Sequence, residues 1–222
     1  PCNPTGQVID AAGMRRIVDA ARKIGAVVLS DECYALMAWN AANDAPENRE
    51  ASIESSPCAL RADVCGGDAY GVLVLYSLSK QSNMAGYRTA CIAGDHTLVR
   101  AMTELRKQIG LIVPGPVQAA MAAGLRDMAA VREQHNRYHS RLSTLVEALR
   151  AYGYDAHMPQ GALYIWVRTL GDDCWQDMGR LADLGIVPSP GEFYGAPQYL
   201  RFSATASDAQ ITEAAERLHA AL

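Results

Sequence analysis

At 222 residues the chain is long enough to bury a sizeable core and to hold one large or two modest domains. Half of its residues are hydrophobic and a fifth are charged, an ordinary balance for a globular protein. The formal net charge of −4 gives no support for binding nucleic acid or an anionic membrane, and no apolar run approaches the roughly 18 residues that a membrane helix needs.

In chain order, Asp10 is placed to cap a helix whose apolar positions Met14, Ile17, Val18, Ala21 and Ile24 keep helical spacing, with Gly25 closing it. Ala26-Val27-Val28-Leu29 is a short continuous apolar run, as expected of a parallel strand covered on both faces, and Asp31 follows at its carboxyl end. Residues 40–68 are polar and broken by Pro46, Pro57, Gly66 and Gly67, and read as a long connection. A strand over 72–76 leads to Lys80, and Thr89-Ala90-Cys91-Ile92-Ala93 reads as a further strand. Asp95 starts a helix with Leu98, Met102, Leu105 and Ile109 on one face and Gly110 at its end.

Pro114-Gly115-Pro116 reads as a hinge between domains. Beyond it, Val131, Tyr138, Leu142, Leu145, Val146 and Leu149 make the stripe of a long amphipathic helix from the late 120s to about 151. A strand at 162–167, a helix around Trp175 to Leu184 and a strand at 199–203 follow. Ser207 with Gln210 makes a capping box for a terminal helix whose buried stripe is Ile211, Ala215, Leu218 and Leu222. The order is an α/β segment followed by an α+β segment.

The residue types that could do chemistry are spread along this frame. Lys80, at the end of a buried strand with Ser77 before it and Arg88 eight residues after it, has the setting of a Schiff-base lysine. Burial and a nearby cation both disfavour the ammonium, and a hydroxyl with a guanidinium can hold a phosphate. Asp31 could serve a ligand or merely cap the turn after its strand. His135 and His139 are four apart on a helix, but Arg132, Glu133, Arg137 and Arg141 around them favour a solvated face over a metal site. Met14, Met102 and Met128 read as packing residues. The six cysteines, at 2, 33, 58, 65, 91 and 174, show no CxxC spacing and read as reduced thiols of a cytosolic protein.

Taken in order, Pro1-Cys2-Asn3-Pro4-Thr5-Gly6, Asp31-Glu32-Cys33-Tyr34, Tyr76-Ser77-Leu78-Ser79-Lys80 with Arg88, and Tyr199-Leu200-Arg201-Phe202-Ser203 resemble the fold-type I pyridoxal-phosphate enzymes, specifically the class I/II aminotransferases, over essentially all 222 residues. The resemblance implies an α/β fold. Residues 1–114 would be the C-terminal part of the large, mostly parallel-sheet domain that binds the cofactor, and 115–222 a small α+β C-terminal domain. It implies pyridoxal 5′-phosphate as cofactor, with Lys80 holding it and Asp31 against its pyridine nitrogen. Asn3 and Tyr34 would reach its phenolic oxygen, and Ser77 and Arg88 its phosphate, with Ser79 a second candidate. Arg201 would bind the substrate α-carboxylate.

The same resemblance implies small amino-acid and keto-acid substrates and a homodimer when full length, while the charge, hydropathy and cysteine pattern are those expected of a cytoplasmic protein with no metal, nucleic acid or membrane partner. Asn-Pro-Thr-Gly lies mid-chain in the family, so the chain reads as a C-terminal fragment lacking the aromatic residue that stacks on the cofactor and much of the substrate pocket. Val64-Cys65-Gly66-Gly67, Ser77 to Asn83 with Ala85-Gly86-Tyr87-Arg88, Val113 to Met121 and Pro190 to Gly195 are similar to the actinobacterial N-succinyldiaminopimelate aminotransferases. That implies glutamate as donor and N-succinyl-2-amino-6-oxopimelate as acceptor. Two other readings share the cofactor residues: a C–S lyase of the cystathionine β-lyase type, and the aminotransferase-like effector domain of a transcription regulator.

Overall fold

The computed structural model describes residues 1–39 and 57–221. The chain divides into two compact units. The described residues of one are 9–37 and 57–134; those of the other are 1–8, 38–39 and 135–221. Pro46, part of the connection expected over 40–68, and Leu222, expected to close the last helical stripe, lie outside the described residues.

The first unit begins with α1 (Ala11–Lys23), capped as expected by the Asp10 side chain, which accepts from the Gly13 amide at 2.6 Å. Its buried stripe is narrower than the apolar spacing suggests. Val18 packs with Val64, Val72, Val74 and Ala59, and Met14 leans on that cluster, while Ile17 and Ile24 are 48% and 80% exposed. Strand β1 (Val28–Asp31) starts two residues later than the apolar run. It is not covered on both faces: Val28 and Ser30 are half-buried, Leu29 is exposed, and β2 is its neighbour in the described sheet.

A short α2 (Ala62–Cys65) precedes β2 (Val72–Ser77), whose Val72, Leu73 and Val74 are all buried, the both-face burial of a central strand. A single turn, α3 (Leu78–Gln81), and a 3₁₀ turn (Ala85–Tyr87) lead into β3 (Ala90–Gly94). The sheet order is β1-β2-β3, with β1 and β2 parallel and β3 antiparallel to β2. Asp95 then caps α4 (His96–Gln108), accepting from Thr97 and Leu98 as well as from Gly71. The bond from Gly71 leads the set that holds its carboxyl below the usual carboxylate range. No residue of α4 is buried; Leu105 and Ile109 of its apolar face are 59% and 56% exposed. Pro114-Gly115-Pro116 opens α5 (Gly115–Gly124), with proline in the first turn, where its missing N–H costs no hydrogen bond.

Helix α6 (Met128–Tyr152) follows, and the two units divide within it, between Gln134 and His135. In the second unit its stripe of Tyr138, Leu142, Leu145, Val146 and Leu149 is buried as expected. His135 and His139 are not on a solvated face: they are 1% and 7% exposed, and their rings lie 4.5 and 5.9 Å from that of Trp39. Positions 135, 138, 139, 142 and 146 share one helical face, so both histidines belong to the apolar stripe, and the exposed Arg132, Glu133 and Arg137 lie off it.

Strand β4 (Tyr164–Arg168), α7 (Cys174–Asp183), β5 (Ser189–Pro190), a 3₁₀ turn (Gly191–Tyr194), β6 (Tyr199–Ser203) and α8 (Asp208–Ala220) complete the unit. Its sheet is antiparallel in the order β4-β6-β5. The Ser207–Gln210 capping box is formed, and Ile211, Ala215 and Leu218 are buried. The buried Asp177 of α7 gathers the amides of Leu170 and Gly171, the Tyr154 hydroxyl and the Arg180 guanidinium. At the amino end of the chain, Gly6 is buried with a φ of +71°, and a Cβ there would lie 2.6 Å from that of Pro159 and 3.0 Å from the Gly161 oxygen. Only glycine suits that position, so the Asn-Pro-Thr-Gly segment is seated against the loop before β4. All six cysteines are free thiols.

Candidate active site

In the first unit the strand register gathers the chemistry at one sheet edge. Asp31 ends β1 opposite Leu75 of the parallel β2, so both strands finish on the same side. Ser77 pairs with Ala90 of the antiparallel β3, so Arg88 and Thr89 enter the sheet from that same side. Parallel strands end in this way where open α/β sheets bind ligands.

Ser77 is fixed by three bonds: its Oγ accepts from the Ser79 amide at 3.1 Å, shares a hydrogen bond with Ser79 Oγ at 2.7 Å, and lies 3.2 Å from the Thr89 carbonyl to which it donates. Two hydroxyls are thus held side by side within one turn of Lys80. The Lys80 side chain is half-buried, with Nζ 5.7 Å from the centre of the Tyr34 ring. Asp31 is exposed, and its Oδ1 accepts from the Cys33 amide at 3.1 Å, so the turn-capping role is present and engages one carboxylate oxygen. Burial pushes the Cys33 thiol up to about 12, helped by its hydrogen bond to Asp31 and by that residue's charge and opposed by the charge of Lys80. Arg88 is exposed and has a φ of +51°, a left-handed conformation unusual for a residue with a Cβ; its Nη1 donates to the Ala85 carbonyl at 3.0 Å. An amine, a carboxylate, paired hydroxyls, a phenol and a guanidinium thus stand at one sheet edge. That donor set suits a phosphorylated, aldehyde-bearing aromatic cofactor.

Asn3 and Arg201 lie in the second unit. Arg201 Nη1 donates to Asn3 Oδ1 at 2.7 Å and Nη2 donates to Ser189 Oγ at 3.1 Å. Its Nε is buried and has no hydrogen-bond partner among the described residues. The guanidinium carbon lies over two rings, 4.2 Å from the centre of Tyr164 and 5.1 Å from that of Tyr194. No local sequence pattern assigns this role to Ser189, to Tyr164 or to Tyr194 of the Pro190 to Gly195 segment. A partial signal was present: side chains alternate along strands, and Arg201 stands opposite both Trp166 and Ser189 in the sheet, so residues two apart on the neighbouring strand share its face.

The sequence pattern of the aminotransferase class I and II family matches residues 1–218. A 4-dedimethylamino-4-oxo-anhydrotetracycline transaminase of Streptomyces rimosus is 42% identical over 220 residues, which cover 98% of this chain and 57% of that protein. An LL-diaminopimelate aminotransferase of Oleidesulfovibrio alaskensis is 30% identical over 223 residues, 98% of this chain and 54% of that protein. The fold is similar to that of a Thermus thermophilus aspartate aminotransferase double mutant, with a TM-score of 0.79 at 24% identity over 100% of this chain and 55% of that one. The chain thus spans about half the length of these relatives. It belongs to the class I and II aminotransferases, a family whose cofactor is pyridoxal 5′-phosphate.

Proposed function

We propose that the protein carrying this chain transfers an amino group from glutamate to a keto or aldehyde acceptor, with N-succinyl-2-amino-6-oxopimelate as the first acceptor to test. The observation that carries the reading is the convergence of Asp31, Ser77, Ser79, Lys80 and Arg88 on one edge of the β1-β2-β3 sheet. When bound, pyridoxal phosphate supplies an electron sink for charge developing at the substrate Cα.

The roles of the residues follow from their chemistry. Lys80 would hold the cofactor through its amine, and as a free amine it would take the proton from the substrate Cα. Asp31 would keep a proton on the ring nitrogen by offering a negative charge to it. Tyr34 and the Asn3 amide would each be candidates to donate to the cofactor's phenolic oxygen. Ser77 would turn its hydroxyl from the Thr89 carbonyl to the phosphate, with Ser79 a second candidate donor, and Arg88 would offer its planar fork. Arg201 binds the α-carboxylate and so orients the Cα–H bond for proton removal.

The acceptor follows from the similar segments at 64–67, 77–88, 113–121 and 190–195, and a relative that is a diaminopimelate aminotransferase by name supports a related carbon skeleton. The transaminase relative of S. rimosus favours a second acceptor class, a polycyclic ketone. The resemblance extends the proposal to a cytoplasmic homodimer. The test is to follow 2-oxoglutarate release from glutamate by the complete gene product, with the succinylated oxopimelate, its unsuccinylated form, oxaloacetate and a polycyclic ketone as acceptors. The succinylated acceptor should give the highest kcat/KM. Release of ammonia and thiol from cystathionine, with no transfer from glutamate, would replace the transaminase reading by the lyase.

A further inference from the structure

The sheet that carries Arg201 also carries aromatic side chains to which the proposed function gives no work. Trp166 stacks on Tyr199, with ring centres 5.1 Å apart and planes 3° from parallel, and meets Tyr194 edge-on at 5.7 Å and 87°. Tyr194 is delivered by the 3₁₀ turn between β5 and β6. That turn sits tightly on its own hairpin: a Cβ on Gly191 would collide with the carbonyl oxygens of Ala196 and Tyr199. Gly195, with a φ of +73°, ends it in the left-handed conformation that favours glycine. The position of Tyr194 is therefore fixed from both sides, by backbone packing and by the Trp166 edge.

We propose that Tyr194 is a positioning residue that fixes the plane of the Arg201 guanidinium for in-plane binding of a carboxylate. The inference rests on the reading of Arg201 as the partner of the substrate carboxylate. A guanidinium that stacks on a ring does so through its π face, and its five N–H groups all lie in its plane. Stacked in this way over the two tyrosines the guanidinium keeps its donors available, and the bonds to Asn3 and Ser189 use two of them. Of the donors that remain, Nε–H is buried with no partner among the described residues. An orphaned buried donor is unfavourable, so it persists only where surrounding contacts hold it in place. A planar carboxylate arriving in the guanidinium plane can accept from Nε–H together with a neighbouring Nη–H. Of the two tyrosines, Tyr164 is buried at 5% exposure and belongs to the core, whereas Tyr194 is 36% exposed and can be changed without hollowing it.

The experiment uses the cofactor-loaded complete gene product and glutarate, a dicarboxylate with no amino or keto group to react. Calorimetry gives its Kd, and steady-state assays give kcat and KM for glutamate. Tyr194→Ala and Tyr194→Leu should each weaken glutarate binding about tenfold and raise the glutamate KM by a similar factor, with kcat within about twofold. Tyr194→Phe, which keeps the ring, should bind glutarate like the parent. A leucine variant that binds as tightly as the phenylalanine variant would overturn the proposal, because bulk alone would then suffice. Parent protein that binds glutarate in this Tyr194-dependent way but never transaminates glutamate would overturn the proposed function and leave the clamp standing. No glutarate binding by the parent would overturn both.

Discussion

A hydrogen bond of 2.7 Å joins Arg201 Nη1 to Asn3 Oδ1 across 198 residues of sequence. It links the first motif of the chain to the last within one compact unit, and it leaves Asn3 its amide donors. Removing the guanidinium by Arg201→Ala forfeits a charge-assisted, two-pronged contact of about 2–3 kcal/mol, or about 30- to 150-fold in affinity. The KM values of amino donor and keto acceptor should both rise by that order while the bound-cofactor absorbance stays the same. Asn3→Ala should raise both KM values less. Loss of the cofactor from the Arg201 variant, with substrate KM retained, would show that this residue serves the cofactor.

Lys80 directly follows Ser79 and stands one turn beyond Ser77, whose hydroxyl pairs with that of Ser79. Borohydride treatment of the cofactor-loaded protein should fix pyridoxyl phosphate on Lys80 and on no other lysine, as read by peptide mass spectrometry. Lys80→Ala should still bind the cofactor through its phosphate contacts but lose turnover by about 10²- to 10⁴-fold, the usual contribution of a positioned proton carrier. An adduct on Lys23 or Lys107 would place the chemistry elsewhere.

Asp177 should make the second unit sensitive to acid. Burial opposes its charge, yet the bonds from Leu170, Arg180, Tyr154 and Gly171 outweigh that and hold its carboxyl below the usual carboxylate range. A carboxyl depressed in the folded state contributes stability above its unfolded pKa of about 3.9, and that contribution is lost as pH falls through the lower, folded value. The drop in thermal midpoint between pH 5 and pH 3 should therefore be smaller in Asp177→Asn than in the parent. Asp177→Ala, which leaves two amides and a phenol without their acceptor, should cost about 2–4 kcal/mol at pH 7 in a urea titration.

How far the structure was legible in the sequence depended on whether the signal was local. The caps at Asp10, Asp95 and Ser207 with Gln210 depend on neighbouring residues alone, and all three form. Helical spacing, by contrast, tells which residues share a face and not whether anything covers that face. Leu105 and Ile109 keep perfect spacing and are exposed, whereas His135 and His139, judged by their charged neighbours, are buried. At the candidate site, Lys80, Asp31 and Arg201 could be chosen because their chemistry is scarce and their place after a strand is readable. Ser189 and Tyr194 could not, because their meeting with Arg201 depends on a cross-strand register and a turn geometry that no local pattern encodes.

Gly191 offers a test of that geometry away from any donor or charge. An added methyl group would strike the Ala196 and Tyr199 carbonyl oxygens and lie 2.8 Å from the Tyr199 carbonyl carbon, and backbone cannot rotate aside as a side chain can. The turn that carries Tyr194 would have to lift. Gly191→Ala should therefore lower stability by about 1–3 kcal/mol, the usual cost of overpacking. It should also raise the glutamate KM, because Tyr194 moves off the Arg201 guanidinium while Arg201 itself is unchanged. Gly195→Ala makes the matched control. Its Cβ would meet nothing within 4 Å, so only the left-handed φ of +73° is penalised, at about 1 kcal/mol. A Gly191 variant with lowered stability and an unaltered KM would show that substrate binding does not depend on where this turn holds Tyr194.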